Sequence, residues 1–173
     1  MKDETPLGWF NLAHAYLFDA AVLYTAKDRP QGGHYETPVR FLYRQAIELF
    51  VKAYLRTTGM SDNELSKRPY GHDLVRLIDE AETRGMLVTK RIKRVRDSEG
   101  AGDRQLETRY LRTGRARVLP PERLHEAARD LLALLQRRLQ LTGTAIPPLP
   151  RLPVVHRSRR LTVAQAARLL RRL

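Results

Sequence analysis

Residues 37–59, TPVRFLYRQAIELFVKAYLRTTG, decide the fold. Tyr43, Ile47, Phe50 and Tyr54 recur at helical spacing, and Leu42, Ala46, Leu49 and Ala53 form a second stripe beside them. Both follow the i, i+3/i+4, i+7 rule of a helix face. Two apolar stripes demand two packing partners, so the stretch is expected to be the central rod of a helical bundle. Arg40, Arg44, Glu48 and Lys52 recur every four residues and form one charged row along the same rod. Thr37 is placed to cap the helix with Pro38 at its first turn, and Gly59 stands where a helix ends.

Outward from the rod, the pattern stays helical. Residues 7–27 are expected to form a first helix with Trp9, Leu12, Ala13, Tyr16, Ala20, Leu23 and Tyr24 on its inner side; residues 31–36 are read as a loop. Ser61 and Glu64 make a capping box for a short turn. Leu74, Leu77, Ile78 and Ala81 are the inner positions of a third helix, and Ile92 and Val95 those of a polar fourth over residues 89–97. Residues 105–111 can begin another turn, and 121–141 form the last core helix through Leu124, Ala128, Leu131, Leu132, Leu135 and Leu139. The expected fold is all-α, an up-and-down bundle of four to five helices over residues 1–141. Residues 142–160 read as a Pro/Arg-rich linker of extended polyproline character. Residues 161–173 read as a short basic amphipathic helix, with Leu161, Ala164, Ala167, Leu170 and Leu173 against Arg168, Arg171 and Arg172.

Composition narrows the classes. The 173 residues contain no cysteine, which excludes disulfides and thiolate zinc sites. The five histidines lack metal-ligand spacing, and no metal or cofactor is expected. No basic start precedes an apolar run, and no apolar stretch reaches the roughly 18 residues of a membrane span, so a cytoplasmic protein is expected. The net charge of +13 is uneven: residues 1–108 hold 17 basic and 16 acidic side chains, whereas residues 109–173 hold 15 basic and 3 acidic ones. The excess in the last third is arginine, which pairs with phosphate oxygens and displaces counterions from nucleic acid. A solvated arginine-rich face is the plainer reading of the same count.

Three segments in order, FLYRQAIELFVKAYL at 41–55, Gly71-His72-Asp73-Leu74, and Arg109-Tyr110, resemble the HEPN superfamily of small helical domains over about residues 7–140. The resemblance implies a bundle of four or five helices, commonly a homodimer, with roles in RNA cleavage, nucleotide binding, or defence and toxin–antitoxin systems. Its ribonuclease members carry an Arg followed after four to six residues by a His on a late helix. There, His serves as general acid or base and Arg stabilises phosphate charge. This sequence departs from that pattern, because its late helix holds His125 and Arg129 in the reverse order. The spacings Arg29 to His34 and Arg151 to His156 fall in Gly- or Pro-rich stretches and read as coincidence.

Candidate sites follow from both readings. Arg44, Glu48 and Lys52 are either a structural ion-pair network or the wall of a ligand groove. His72 and Asp73 either cap and fix the loop before the third helix or join Lys52, Arg109 and Tyr110 in a polar cluster for a nucleotide or RNA phosphate. Arg112, Arg115 and Arg117, with Arg157, Arg159 and Arg160, are candidate nucleic-acid contacts. His14 is expected at the surface or in a cap. Residues 161–170 are similar to the first helix of excisionase-like helix-turn-helix modules, but the chain stops before a recognition helix. The expected function is therefore binding of nucleic acid or a nucleotide, with RNA foremost and without the family's nuclease pair. The alternatives are a metal-independent ribonuclease using His72 with Arg109 or Lys52, and a non-enzymatic dimerisation or protein-interaction module.

Overall fold

A computed structural model describes residues 4–28, 30, 33–99 and 119–155. They form an all-α bundle with no strand among the described residues. The helices are α1 (Pro6–Thr25), α2 (Thr37–Thr57), α3 (Asp62–Ser66), α4 (Leu74–Thr83), α5 (Lys90–Glu99) and α6 (Pro121–Leu141). None of them is long and apolar enough to cross a membrane.

The central position of α2 follows from its two stripes. Tyr43, Ala46, Ile47, Phe50, Ala53 and Tyr54 are all buried, and α1, α4 and α6 pack around them. Phe10 meets Phe50 with ring centroids 5.9 Å apart. Arg56 of α2 donates to the Glu4 backbone carbonyl beside the start of α1, so the two helices run antiparallel. α6 instead runs alongside α2 in the same direction: His125, near its start, packs on Tyr43, and Arg138, near its end, lies over Tyr54.

Local chemistry sets the ends. Thr5 Oγ1 caps α1 by accepting from Gly8 N at 3.0 Å, with Pro6 in the first turn. Ser61 and Glu64 form the capping box of α3. Gly59 and Gly85 adopt φ of 94° and 90° just past α2 and α4, a left-handed conformation that spares only glycine a Cβ clash. Two sequence expectations change here. Residues 33–36 are a 3-10 turn that runs directly into α2, so Thr37 lies inside the helix and Glu36 precedes it. In α1 the buried side is Phe10, Ala13, His14, Leu17, Ala20 and Ala21, whereas Leu12 and Leu23 face outward. α1 is apolar around its whole circumference, so spacing alone cannot choose its inner side. His14 is buried rather than at the surface.

After α6 the chain continues over residues 144–155 as a strap without regular secondary structure. Ile146, Leu149 and Leu152 pack against the core. The His14 imidazole hydrogen-bonds to the backbone of Pro150, whose only polar backbone group is its carbonyl. The segment is thus fastened along the bundle. Residues 156–173, which include the amphipathic stretch, lie outside the described residues.

Candidate functional site

The charged row of α2 is closed. Arg44, Glu48 and Lys52 are 5%, 1% and 4% exposed. Glu48 Oε1 accepts from Lys52 Nζ at 2.9 Å and from His72 Nδ1 at 2.9 Å, and its Oε2 lies 3.5 Å from Arg44 Nη1. Arg44 Nε donates to Glu99 Oε2 at 3.0 Å, and its Nη2 donates to the His72 carbonyl at 3.3 Å. The Lys52 ammonium also sits 5.7 Å from the centroid of the Trp9 ring. Two cations thus meet two carboxylates, which is how buried charges become tolerable. Arg44 and Lys52 each pair with a carboxylate of the chain and are buried, an arrangement that suits a structural ion-pair network.

Three residues singled out in the sequence, His72, Asp73 and Arg40, behave differently around it. His72 joins the seam while its side chain remains 54% exposed. Asp73 does not join: it caps α4, accepting from Arg76 N at 3.1 Å, and pairs with the Arg76 guanidinium at 3.3 Å. Arg40, the first member of the row, turns to the Leu119 carbonyl and to Glu36. Glu99, absent from the sequence-level candidates, is the residue that closes the network. Arg109, Tyr110, Arg112, Arg115, Arg117, Arg157, Arg159 and Arg160 lie outside the described residues.

The late-helix histidine is buried against Tyr43, with ring centroids 5.5 Å apart in an edge-on arrangement. Burial, with the nearby Arg129 charge adding to it, pushes the His125 pKa down to about 4. Burial likewise raises the Tyr43 phenol. Neither Tyr43 Oη nor His125 Nδ1 has a hydrogen-bond partner among the described residues. A neutral, enclosed imidazole is not placed to shuttle protons on a polymer substrate. It does set a pH dependence. Between about pH 6.5 and 4 the unfolded chain takes up a proton that the folded chain refuses, so stability falls as pH falls through that window. The contribution is up to roughly 3 kcal/mol. Urea midpoints measured from pH 7 to 4.5 are expected to drop less steeply in His125→Leu than in the parent chain; equal slopes would refute the burial effect.

The open feature lies between α5 and α6, a groove of about 900 Å³. Lys90, Arg91 and Arg94 on α5 and Arg123 and Arg137 on α6 line it against a single carboxylate, Asp130. Asp130 is already taken, accepting from Thr89 Oγ1 at 2.7 Å and Arg91 Nη1 at 3.0 Å. Arg123 pairs with Glu126 at 3.3 Å. Lys90, Arg94 and Arg137 are exposed and have no anionic partner among the described residues. Leu87, 74% exposed, joins Ala133 and Leu134 in the lining. The rest of the α5 charge points elsewhere, since Lys93 and Arg96 pair with Asp79 and Glu82 of α4. A signal for this groove existed in the sequence: positions 123, 130 and 137 recur every seven residues on one side of α6, opposite a run of cations on α5.

No family model matches this chain, and neither curated proteins nor solved structures provide a match.

Proposed function

We propose that this chain is a nucleic-acid-binding helical bundle whose interface is the groove between α5 and α6. The observation that carries the reading is the set of three cations, Lys90, Arg94 and Arg137, that have no anionic partner among the described residues, in a groove whose lining carboxylate is already neutralised. Such a groove attracts a phosphodiester backbone through counterion release. Its Asp130 carboxylate and Thr89 hydroxyl bond to each other, so its remaining polar groups are mainly cations suited to phosphate oxygens. Phosphate contacts without base contacts give affinity without sequence preference. RNA is the class favoured by the HEPN resemblance, which alone also carries the homodimer and the defence or toxin–antitoxin partner. For the ribonuclease alternative, His72 and Lys52 both bond to Glu48 Oε1, so that pair is close but Lys52 is engaged in a buried ion pair.

Fluorescence anisotropy with a mixed-sequence single-stranded RNA tests the reading. Affinity is expected to fall steeply with salt, with a log–log slope of about −0.7 for each phosphate neutralised, and to be alike for unrelated sequences. Association that ignores salt, or none at low salt, would overturn it.

A further inference from the structure

The groove between α5 and α6 changes character along its length. Arg91, near the start of α5, meets Glu126 and Asp130, whereas Glu99 at its end reaches Arg44, next to the Tyr43 on which His125 packs. α5 therefore runs antiparallel to α6. Arg94 lies toward Arg123, and Leu87, three residues ahead of α5, lies toward Leu134 and Arg137. One end of the lining is cationic; the other sets Leu87, Ala133 and Leu134 beside Arg137. Resting on the nucleic-acid reading of this groove, we infer that the apolar end is a subsite for the flat face of an unpaired nucleobase, which makes single-stranded nucleic acid the substrate class.

An exposed leucine alone means little on a protein surface. Leu87 is 74% exposed, but it shares its lining with the exposed Ala133 and the half-buried Leu134, and cations flank all three. Ala133 and Arg137 stand about one turn apart on one line of α6. A helical side chain leans toward the amino end of its helix, so Arg137 reaches back over Ala133. The carboxylate that would repel a strand, Asp130, sits between the two ends, about 10 Å along α6 from both Arg123 and Arg137. Arg91 and the Thr89 hydroxyl already occupy it.

A ligand that fits both ends must carry spaced negative charge and present an apolar face between two of its charges. A single strand does both, with phosphates along its backbone and bases free to leave the stack. A duplex offers the phosphates but keeps its base faces stacked on one another, so it engages the cationic end alone. Arg137 adds a planar guanidinium, which stacks on aromatic faces, to the apolar contact made by the leucines. Contact with a base face spells no sequence, because every base has one. The subsite thus adds affinity and selects unpaired strands without reading base edges.

Fluorescence anisotropy on the full chain at low salt, comparing a single-stranded oligonucleotide with an abasic strand of equal length, reads the subsite directly. The abasic strand keeps every phosphate and lacks the bases. The parent chain is expected to bind the base-bearing strand about fivefold tighter or more, with the same salt slope for both because the phosphates are the same. Leu87→Asn, an exposed substitution that should leave folding intact, is expected to bind the two strands alike. Equal affinities in the parent would overturn the subsite while leaving the phosphate groove standing. A preference for bases that survives in Leu87→Asn would also overturn it, by putting the base elsewhere. Failure of both strands to bind, the result that an acidic peptide as the groove's ligand would give, would remove the nucleic-acid reading and this inference with it.

Discussion

Glu48→Ala is expected to cost about 3–5 kcal/mol of stability, a large share of the roughly 5–15 kcal/mol that holds a domain together. The substitution removes the carboxylate that pairs with the buried Lys52 ammonium, leaving the Trp9 ring beside it, and leaves Arg44 with Glu99 and the His72 carbonyl. At about 2–4 °C per kcal/mol for a chain of this size, the melting temperature should drop on the order of 10 °C. The double variant Glu48→Met, Lys52→Met removes both charges together and should recover most of the loss, because a well-packed apolar pair can replace a buried ion pair. Thermal or urea unfolding of the two variants checks this. A Glu48→Ala chain as stable as its parent would show that the seam is not holding the bundle. RNA affinity, measured where both variants are folded, is expected to stay at the parent value, whereas a ligand-contacting seam would lose it.

The second large effect belongs to the groove. Replacing Lys90, Arg94 and Arg137 by Gln removes three cations that have no anionic partner among the described residues, so folding should be almost untouched: exposed surface substitutions usually stay within about 0.5 kcal/mol. If each cation meets one phosphate of a single strand, the log–log salt slope should become shallower by about 2. Low-salt affinity for mixed-sequence RNA should fall by at least tenfold, uniformly across sequences. Parent-like affinity and slope in this variant would remove the groove from consideration and leave the arginines beyond residue 155 or within residues 100–118 as the contact surface.

The fold was largely legible because α2 writes its surroundings into its own periodicity. Its two apolar stripes are buried, and the i, i+4 spacing of Arg44, Glu48 and Lys52 already put them on one line. Their meeting with His72 was legible as a possibility, since Gly71 and Asp73 mark the turn that delivers it. The partner that completes the seam was not. Glu99 is 55 residues from Arg44, and only the docking of α5 brings it in. The groove escaped for the same reason, being made by two helices neither of which holds it alone. α1 failed in a different way: with apolar residues all round, its sequence holds no instruction about which side turns inward, and leucines 12 and 23 were assigned to the wrong one. The proline-rich residues after α6 are legible as a linker, and Ile146, Leu149 and Leu152, which recur with the three-residue period of a polyproline helix, pack against the core.

The way α5 is held has a consequence for binding. Its amino end is tied to α6 where Thr89 and Arg91 share Asp130, and its last residue, Glu99, is bolted to Arg44 on the central helix. The groove cations between those two anchor points therefore stand on a rung clamped at both ends. A ligand settling there has side chains to order but no backbone to recruit. Little conformational entropy is forfeited on association, so even a modest number of phosphate contacts can translate into useful affinity.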